Sequence, residues 1–141
     1  MYRTITDRTE VRVRFNEADS LGIVWHGNYI RYFEDGRESF GRRYGIDYLS
    51  VFNKGFILPI VKIECNYKRP LSYGDIVIVE TSYTPCDAAK IIFNYKLFNS
   101  STNQLVADGY TIQVFLDREN SLLQLTNPGF FEEWKTQLEL M

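Results

Sequence analysis

Asp19-Ser20-Leu21-Gly22-Ile23-Val24-Trp25-His26-Gly27-Asn28-Tyr29 places a carboxylate in a turn just ahead of a helix start. Ser20 and Gly22 are turn formers, and Asp beside them hydrogen-bonds nearby backbone. Gly27 and Asn28 then open a helical stretch that runs to Tyr44 and stops at Gly45, the usual left-handed position beyond a helix end. Its apolar positions Tyr29, Ile30, Phe33, Phe40 and Tyr44 recur at roughly helical spacing, while Arg31, Glu34, Glu38, Arg42 and Arg43 leave other faces wet. The spacing predicts a rod of about 25 Å. Gly36 and Gly41 lie inside it, each about 1 kcal/mol less favourable than Ala. Two readings are open: the helix lies so close to another backbone that a side chain is excluded, or these are tolerated surface glycines.

An acid beside a helix N-terminus can attack a carbonyl, because the free N–H groups of the first turn polarise the oxygen while the carboxylate supplies base or nucleophile. The bland alternative for Asp19 is a turn residue and nothing more.

Working outward, residues 9–15 predict a strand in which Val11, Val13 and Phe15 alternate with Arg12 and Arg14. Beyond the helix comes a short helical piece, 48–53, and then four strand-like runs. In the first, Ile57, Val61, Ile63, Cys65 and Tyr67 face one way, with Lys62, Glu64, Asn66 and Lys68 opposite. The others cover 76–83, the alternating Ile91, Phe93, Tyr95 and Leu97, and 105–116, the last entered through a hairpin turn at 100–103. Short connections at 69–74 and 85–88 indicate antiparallel neighbours. An amphipathic helix is expected over 130–140 after Pro128-Gly129. The expectation is an α+β fold in one domain over residues 1–141, a five-stranded antiparallel sheet wrapped around one long helix. Such a sheet leaves an edge or face to be covered, and dimerisation that continues the sheet would cover it.

Composition narrows the function. A chain of 141 residues can bury roughly two-thirds of its unfolded surface. Ten Tyr, ten Phe and two Trp suit half-buried strands and apolar pockets. Sixteen basic against eighteen acidic residues leave −2, which draws no nucleic acid. Cys65 and Cys86 are too few for a disulfide framework, and with one histidine a structural zinc site is not expected. The N-terminus lacks the apolar core of a signal peptide and no run approaches the ~20 apolar residues of a membrane span. A cytoplasmic protein is the expectation.

The order of elements and the run from Val13 to Tyr29 resemble the hotdog-fold acyl-CoA thioesterases, most of all the 4-hydroxybenzoyl-CoA thioesterase type. Asp19, Gly22, Ile23, Val24, Trp25, Asn28 and Tyr29 stand at the positions of that family's front motif. Tyr32-Phe33-Glu34-Asp35-Gly36-Arg37 continues its helix pattern, with Gly where Ala is more usual. Tyr67-Lys68-Arg69-Pro70 with Gly74-Asp75 resembles its turn between the second and third strands.

The resemblance makes Asp19 the catalytic carboxylate, acting either as nucleophile on the thioester carbonyl or as general base on water. The backbone N–H of His26, with that of Gly27, would then hold the thioester oxygen. The His26 side chain would orient the helix start or the acyl group. Asn28 and Tyr29 are candidates to cap the helix and line the acyl pocket, and Trp25, Tyr32 and Phe33 to wall it. Lys68 and Arg69 could hold the phosphates of coenzyme A. Glu64 could reach the site of a neighbouring subunit as a second acid, against the plainer reading of a solvated strand face. The substrate implied is an acyl-CoA, the assembly a homodimer or homotetramer with sites at subunit interfaces, and no metal or organic cofactor is required. Three rivals are an acyl-carrier-protein thioesterase, a dehydratase or hydratase built on His26 and Glu34, and an acyl-CoA-binding protein without turnover.

Overall fold

A computed structural model describes residues 3–140 of the chain. In chain order the elements are β1 (Thr6–Arg12), α1 (Asn28–Tyr44), α2 (Tyr48–Asn53), β2 (Phe56–Ile57), β3 (Ile60–Tyr67), β4 (Ile76–Thr84), β5 (Lys90–Asn99), β6 (Leu105–Val114), β7 (Leu116–Asp117) and α3 (Gly129–Gln137). Five of the strands make one antiparallel sheet in the order β1-β4-β5-β6-β3, and β2 pairs with β7 apart from it.

The long helix keeps its expected bounds. Tyr29, Tyr32, Phe33, Gly36, Phe40 and Gly41 are its buried residues, one stripe at helical spacing, and Gly45 closes it at φ 78°. The stripe lies across β1, β4 and β5. Facing it, one row of the sheet runs Thr81, Tyr95, Gly109, Cys65 across four strands, and the next runs Val79, Leu97, Ala107, Tyr67. Phe33 stacks on Tyr95 with ring centroids 4.4 Å apart, and Phe40 meets Phe93 edge-on at 4.9 Å. The Tyr95 hydroxyl shares a 2.6 Å hydrogen bond with Thr111, which satisfies both in the core.

The two helical glycines are contact points. A Cβ at Gly36 would run into the side chains of Val79 and Thr81, and one at Gly41 would come within 2.8 Å of the Asp47 Cα. Close approach is therefore the reading that holds, to another backbone at Gly41 and to strand side chains at Gly36. At the far end Trp134 of α3 donates its indole N–H to the Tyr44 carbonyl at 2.7 Å, capping the rod from outside.

Three boundaries differ from expectation. The first strand covers Thr6–Arg12 and ends before Phe15, which is 78% exposed in a one-turn 3₁₀ helix over Phe15–Glu17. The alternation Val11, Val13, Phe15 is real, but Val13 already donates to the Asp75 carbonyl at 2.9 Å, at the margin of the sheet. The expected strand over 105–116 breaks at Phe115, which turns into the core beside Phe131, so Leu116 pairs with Ile57 instead. The last helix covers Gly129–Gln137.

A further difference bears on assembly. The apolar face of β3 is not covered by α1: Val61, Ile63 and Tyr67 are 60%, 42% and 48% exposed. The helix packs on this same face but over β1, β4 and β5, toward the other edge of the sheet, and β3 is an edge strand with one free ladder.

Gly36→Leu must push Val79 and Thr81 out of the row beneath the helix. We expect a loss of about 3 kcal/mol in denaturant unfolding, the upper part of the usual overpacking range. Unchanged stability would show the helix free to lift.

Candidate active site

The site begins with a buried carboxylate. Glu17 is 1% exposed and accepts hydrogen bonds from the Arg14 amide at 2.7 Å, the Arg14 guanidinium at 3.3 Å and the Tyr32 hydroxyl at 3.1 Å. A buried charge persists only with partners of this kind. The Glu17 carbonyl accepts from the Trp25 amide at 3.0 Å and from the Asn28 side-chain amide at 3.0 Å. One residue thus ties the exit of β1 to the start of α1.

Between these ties the chain folds into a small hairpin. Ala18 pairs with Val24, the Asp19 amide donates to the Ile23 carbonyl at 2.7 Å, and Gly22 takes φ 82°. Asp19 occupies the tip and is exposed. Its Oδ1 accepts from the Leu21 amide at 2.8 Å, an Asx turn, and Oδ2 has no hydrogen-bond partner among the described residues. The turn reading of Asp19 and the chemical one are compatible, since the turn leaves one oxygen open.

Helix α1 starts at Gly27, which takes the cap position without a side-chain cap. Asn28, expected as a cap, is the first helical residue, and its side chain is spent on Glu17. The Asn28 amide donates to the Trp25 carbonyl at 2.9 Å and the Tyr29 amide to the His26 carbonyl at 3.3 Å. The amides of His26 and Gly27 find no acceptor among the described residues. These are the orphan donors of a helix start, at the positive end of its dipole. The Trp25 ring, 55% exposed, lies over Gly27, so a Cβ there would meet it.

Beside the helix start is a mainly apolar depression of about 290 Å³. It brings together His26, Tyr29, Lys68 and Arg69 with Tyr67 and Ile23; Asp19, Trp25, Gly27 and Asn28 stand outside its lining. Tyr29 is buried and its hydroxyl donates to the Arg69 carbonyl at 3.2 Å. Burial pushes its phenol pKa up. Lys68 has no ion-pair partner among the described residues, whereas the Arg69 guanidinium donates to the Leu105 carbonyl at 2.9 Å. Tyr32, expected to wall the pocket, lies fully buried against Glu17; burial first and the Glu17 charge second raise its phenol well above the usual range. Phe33 is likewise core, under the sheet.

Glu64 stands on the sheet face away from α1, where Asn66 donates to it at 3.4 Å, so within one chain it serves the solvated face. Glu17 and Tyr67 were not singled out from the sequence. The signals available were an acid inside the front motif and an aromatic directly before Lys68-Arg69-Pro70. Among the described residues no group of three or more His, Cys, Asp or Glu could hold a metal ion.

Residues 13–134 match the model of the thioesterase-like superfamily. The chain belongs to this family. A Bacillus subtilis relative named "Putative acyl-CoA thioesterase YneP" is 30% identical over 94% of this chain and 94% of its own. The solved DHNA-CoA thioesterase of Staphylococcus aureus superposes with a TM-score of 0.85 at 24% identity, covering 94% of this chain and 90% of that one. The 4-hydroxybenzoyl-CoA thioesterase of Pseudomonas sp. strain CBS-3 gives 0.78 at 24%, covering 94% and 99%. At that identity the two structures speak for the fold, which is the hotdog fold expected from the front motif. The members compared are named as thioesterases, in keeping with the enzyme class expected for this chain.

On α1, Asp35 lies near Glu17, with its Oδ2 buried and without a hydrogen-bond partner among the described residues. Burial is the main cause that raises its carboxyl pKa, with Arg14 pulling the other way and Glu17 adding to the rise. A raised folded-state value means the native chain holds the proton longer than the unfolded one, so this group lowers stability as pH rises above the unfolded value. Asp35→Asn is therefore expected to melt higher than wild type at pH 7, the gap closing as pH falls below about 4. A gap independent of pH in thermal melts would remove the charge explanation.

Proposed function

We propose that this chain is a single-domain acyl-CoA thioesterase of the cytoplasm, hydrolysing an acyl-CoA to the free acid and coenzyme A. The observation that carries the reading is the pair of unpaired amides at His26 and Gly27, held next to the Asp19 hairpin by the Glu17 carbonyl. An oxygen that gains negative charge as a thioester carbonyl is attacked is suited to that pair of donors. The relative over nearly the whole chain carries acyl-CoA in its name, which supports coenzyme A as the carrier.

Asp19 supplies the attack. Either its carboxylate adds to the carbonyl, giving a mixed anhydride that water opens, or it takes a proton from the water that adds. Both routes break the C–S bond, pass the sulfur out as the coenzyme A thiol and leave the acyl group as the acid. His26 orients the helix start, with Trp25, Asn28 and Tyr29 around the acyl group. Lys68, whose ammonium is uncommitted, provides the larger share of the hold on the phosphates, and Arg69 the smaller.

The site is completed in a homo-oligomer. β3 offers a free ladder and an uncovered apolar face that reaches Tyr67 at the depression, which favours edge-to-edge pairing with a second copy. Light scattering should give a dimer or tetramer, and a monomer would remove the shared site.

Thiol release from short, long and aromatic acyl-CoAs tests the chemistry. Wild type should release thiol from at least one, and Asp19→Asn should lose about 100-fold or more of kcat, the scale of a missing base or nucleophile. Release that survives in the variant would move the attack away from Asp19. Lys68→Ala should raise KM about tenfold with kcat held, as one charge-assisted contact predicts; an unmoved KM would dismiss the phosphate hold.

A further inference from the structure

We propose that Tyr67 is a positioning residue, whose hydroxyl fixes the peptide plane that presents the Gly27 amide to the thioester oxygen. The inference rests on the thioesterase reading and deepens it. The Tyr67 hydroxyl donates to the His26 carbonyl at 2.9 Å, across 41 residues of sequence. That carbonyl and the Gly27 N–H belong to one peptide unit, and there is no cis peptide bond among the described residues. In a trans unit the C=O and N–H point in opposite directions within one plane. Whatever grips the carbonyl therefore aims the amide. A hydrogen bond at the oxygen also draws charge through the unit and makes its N–H a stronger donor.

The two unpaired amides differ in what holds them. The His26 N–H shares its peptide with the Trp25 carbonyl, which accepts the Asn28 amide at 2.9 Å, a bond of the main chain. Among the described residues the His26 carbonyl receives, besides Tyr67, only a longer bond from the Tyr29 amide, 3.3 Å. The Gly27 donor is thus the one whose aim depends on a side chain. Gly27 adds to this dependence, since without a Cβ it has little of its own to resist rotation.

Tyr67 is anchored well enough for the task. It pairs with Ala107 at the end of β3, and just beyond it the amides of Lys68 and Arg69 both donate to the Val106 carbonyl, at 2.8 and 3.1 Å. Its ring meets Tyr29 with centroids 5.1 Å apart and His26 edge-on at 6.2 Å, contacts that do not involve the hydroxyl. Burial, with Cys65 and Tyr29 beside it, pushes its phenol to about 12, so the hydroxyl keeps its proton at neutral pH.

Tyr67→Phe keeps the ring contacts and deletes only the hydroxyl. With an acyl-CoA that wild type hydrolyses, kcat should fall about tenfold to thirtyfold, below the 100-fold or more for losing an oxyanion donor outright, while KM and the melting temperature stay put. A second reading uses the bound substrate. In the Asp19→Asn background the thioester C=O stretch, followed by Raman difference spectroscopy, should shift to lower frequency on binding. Asp19→Asn with Tyr67→Phe should return part of that shift toward the free value. Undiminished kcat in Tyr67→Phe, a change confined to KM, or an identical carbonyl shift would each overturn the role. Wild type without turnover of any acyl-CoA would overturn the thioesterase reading itself, and the role of Tyr67 with it.

Discussion

The closeness of α1 to the sheet is the constraint on which the other features depend. Where Gly36 passes over Val79 and Thr81 there is no room for a methyl group, so the helix axis drops toward β4. That depth allows Phe33 to lie flat on Tyr95 and Phe40 to reach Phe93. The same approach is repeated at Gly41, where the backbone of Asp47 folds back against the helix. Pinned at two points along its length, the rod has a fixed direction, and its N-terminus is delivered to one place beside the end of β3. Dispersion contacts of many buried rings supply the hold; the glycines make it geometrically available.

At the helix start the burden passes from packing to hydrogen bonds. Glu17 is a buried anion whose carboxylate is saturated by Arg14 and Tyr32 while its carbonyl serves Trp25 and Asn28. It joins the segment leaving the sheet, the hairpin bearing Asp19 and the first turn of α1. Truncating such a group leaves partners unsatisfied in a low-dielectric setting, which is more disruptive than the loss of any one bond. The exposed acid at the hairpin tip can be mobile at its own side chain and still keep its place relative to the helix.

Much of this was legible in sequence, for identifiable reasons. The long helix declared itself through period, polar faces and Gly45, all local signals. The glycines inside it did not, because the reasons for them are contacts formed only on folding: Val79 and Thr81 for Gly36, more than forty positions away, and the backbone of Asp47 folding back for Gly41. Phe15 misled, since it continued the alternation of a strand that the sheet had already released. The Asp19 segment carried a turn and a helix start on its face, an arrangement that permits attack on a carbonyl, and the resemblance raised that reading above the plain turn. Tyr67 reads from the letters only as an apolar strand residue before a turn: its hydrogen bond is to a carbonyl, and carbonyls leave no trace in the residue letters.

That last point is general to sites built from main-chain donors. A thioester is an activated acyl group, so an acid and two well-aimed amides provide much of what its hydrolysis requires. Amides carry no residue identity, so what a sequence can set is the hold on their planes: the absence of a side chain at Gly27, the bonds from Asn28 to the Trp25 and Glu17 carbonyls, the hydroxyl of Tyr67. The letters around the helix start read as turn formers and aromatics for this reason. In the proposed mechanism their contribution is to geometry, and the oxygen-stabilising donors they would place belong to the backbone.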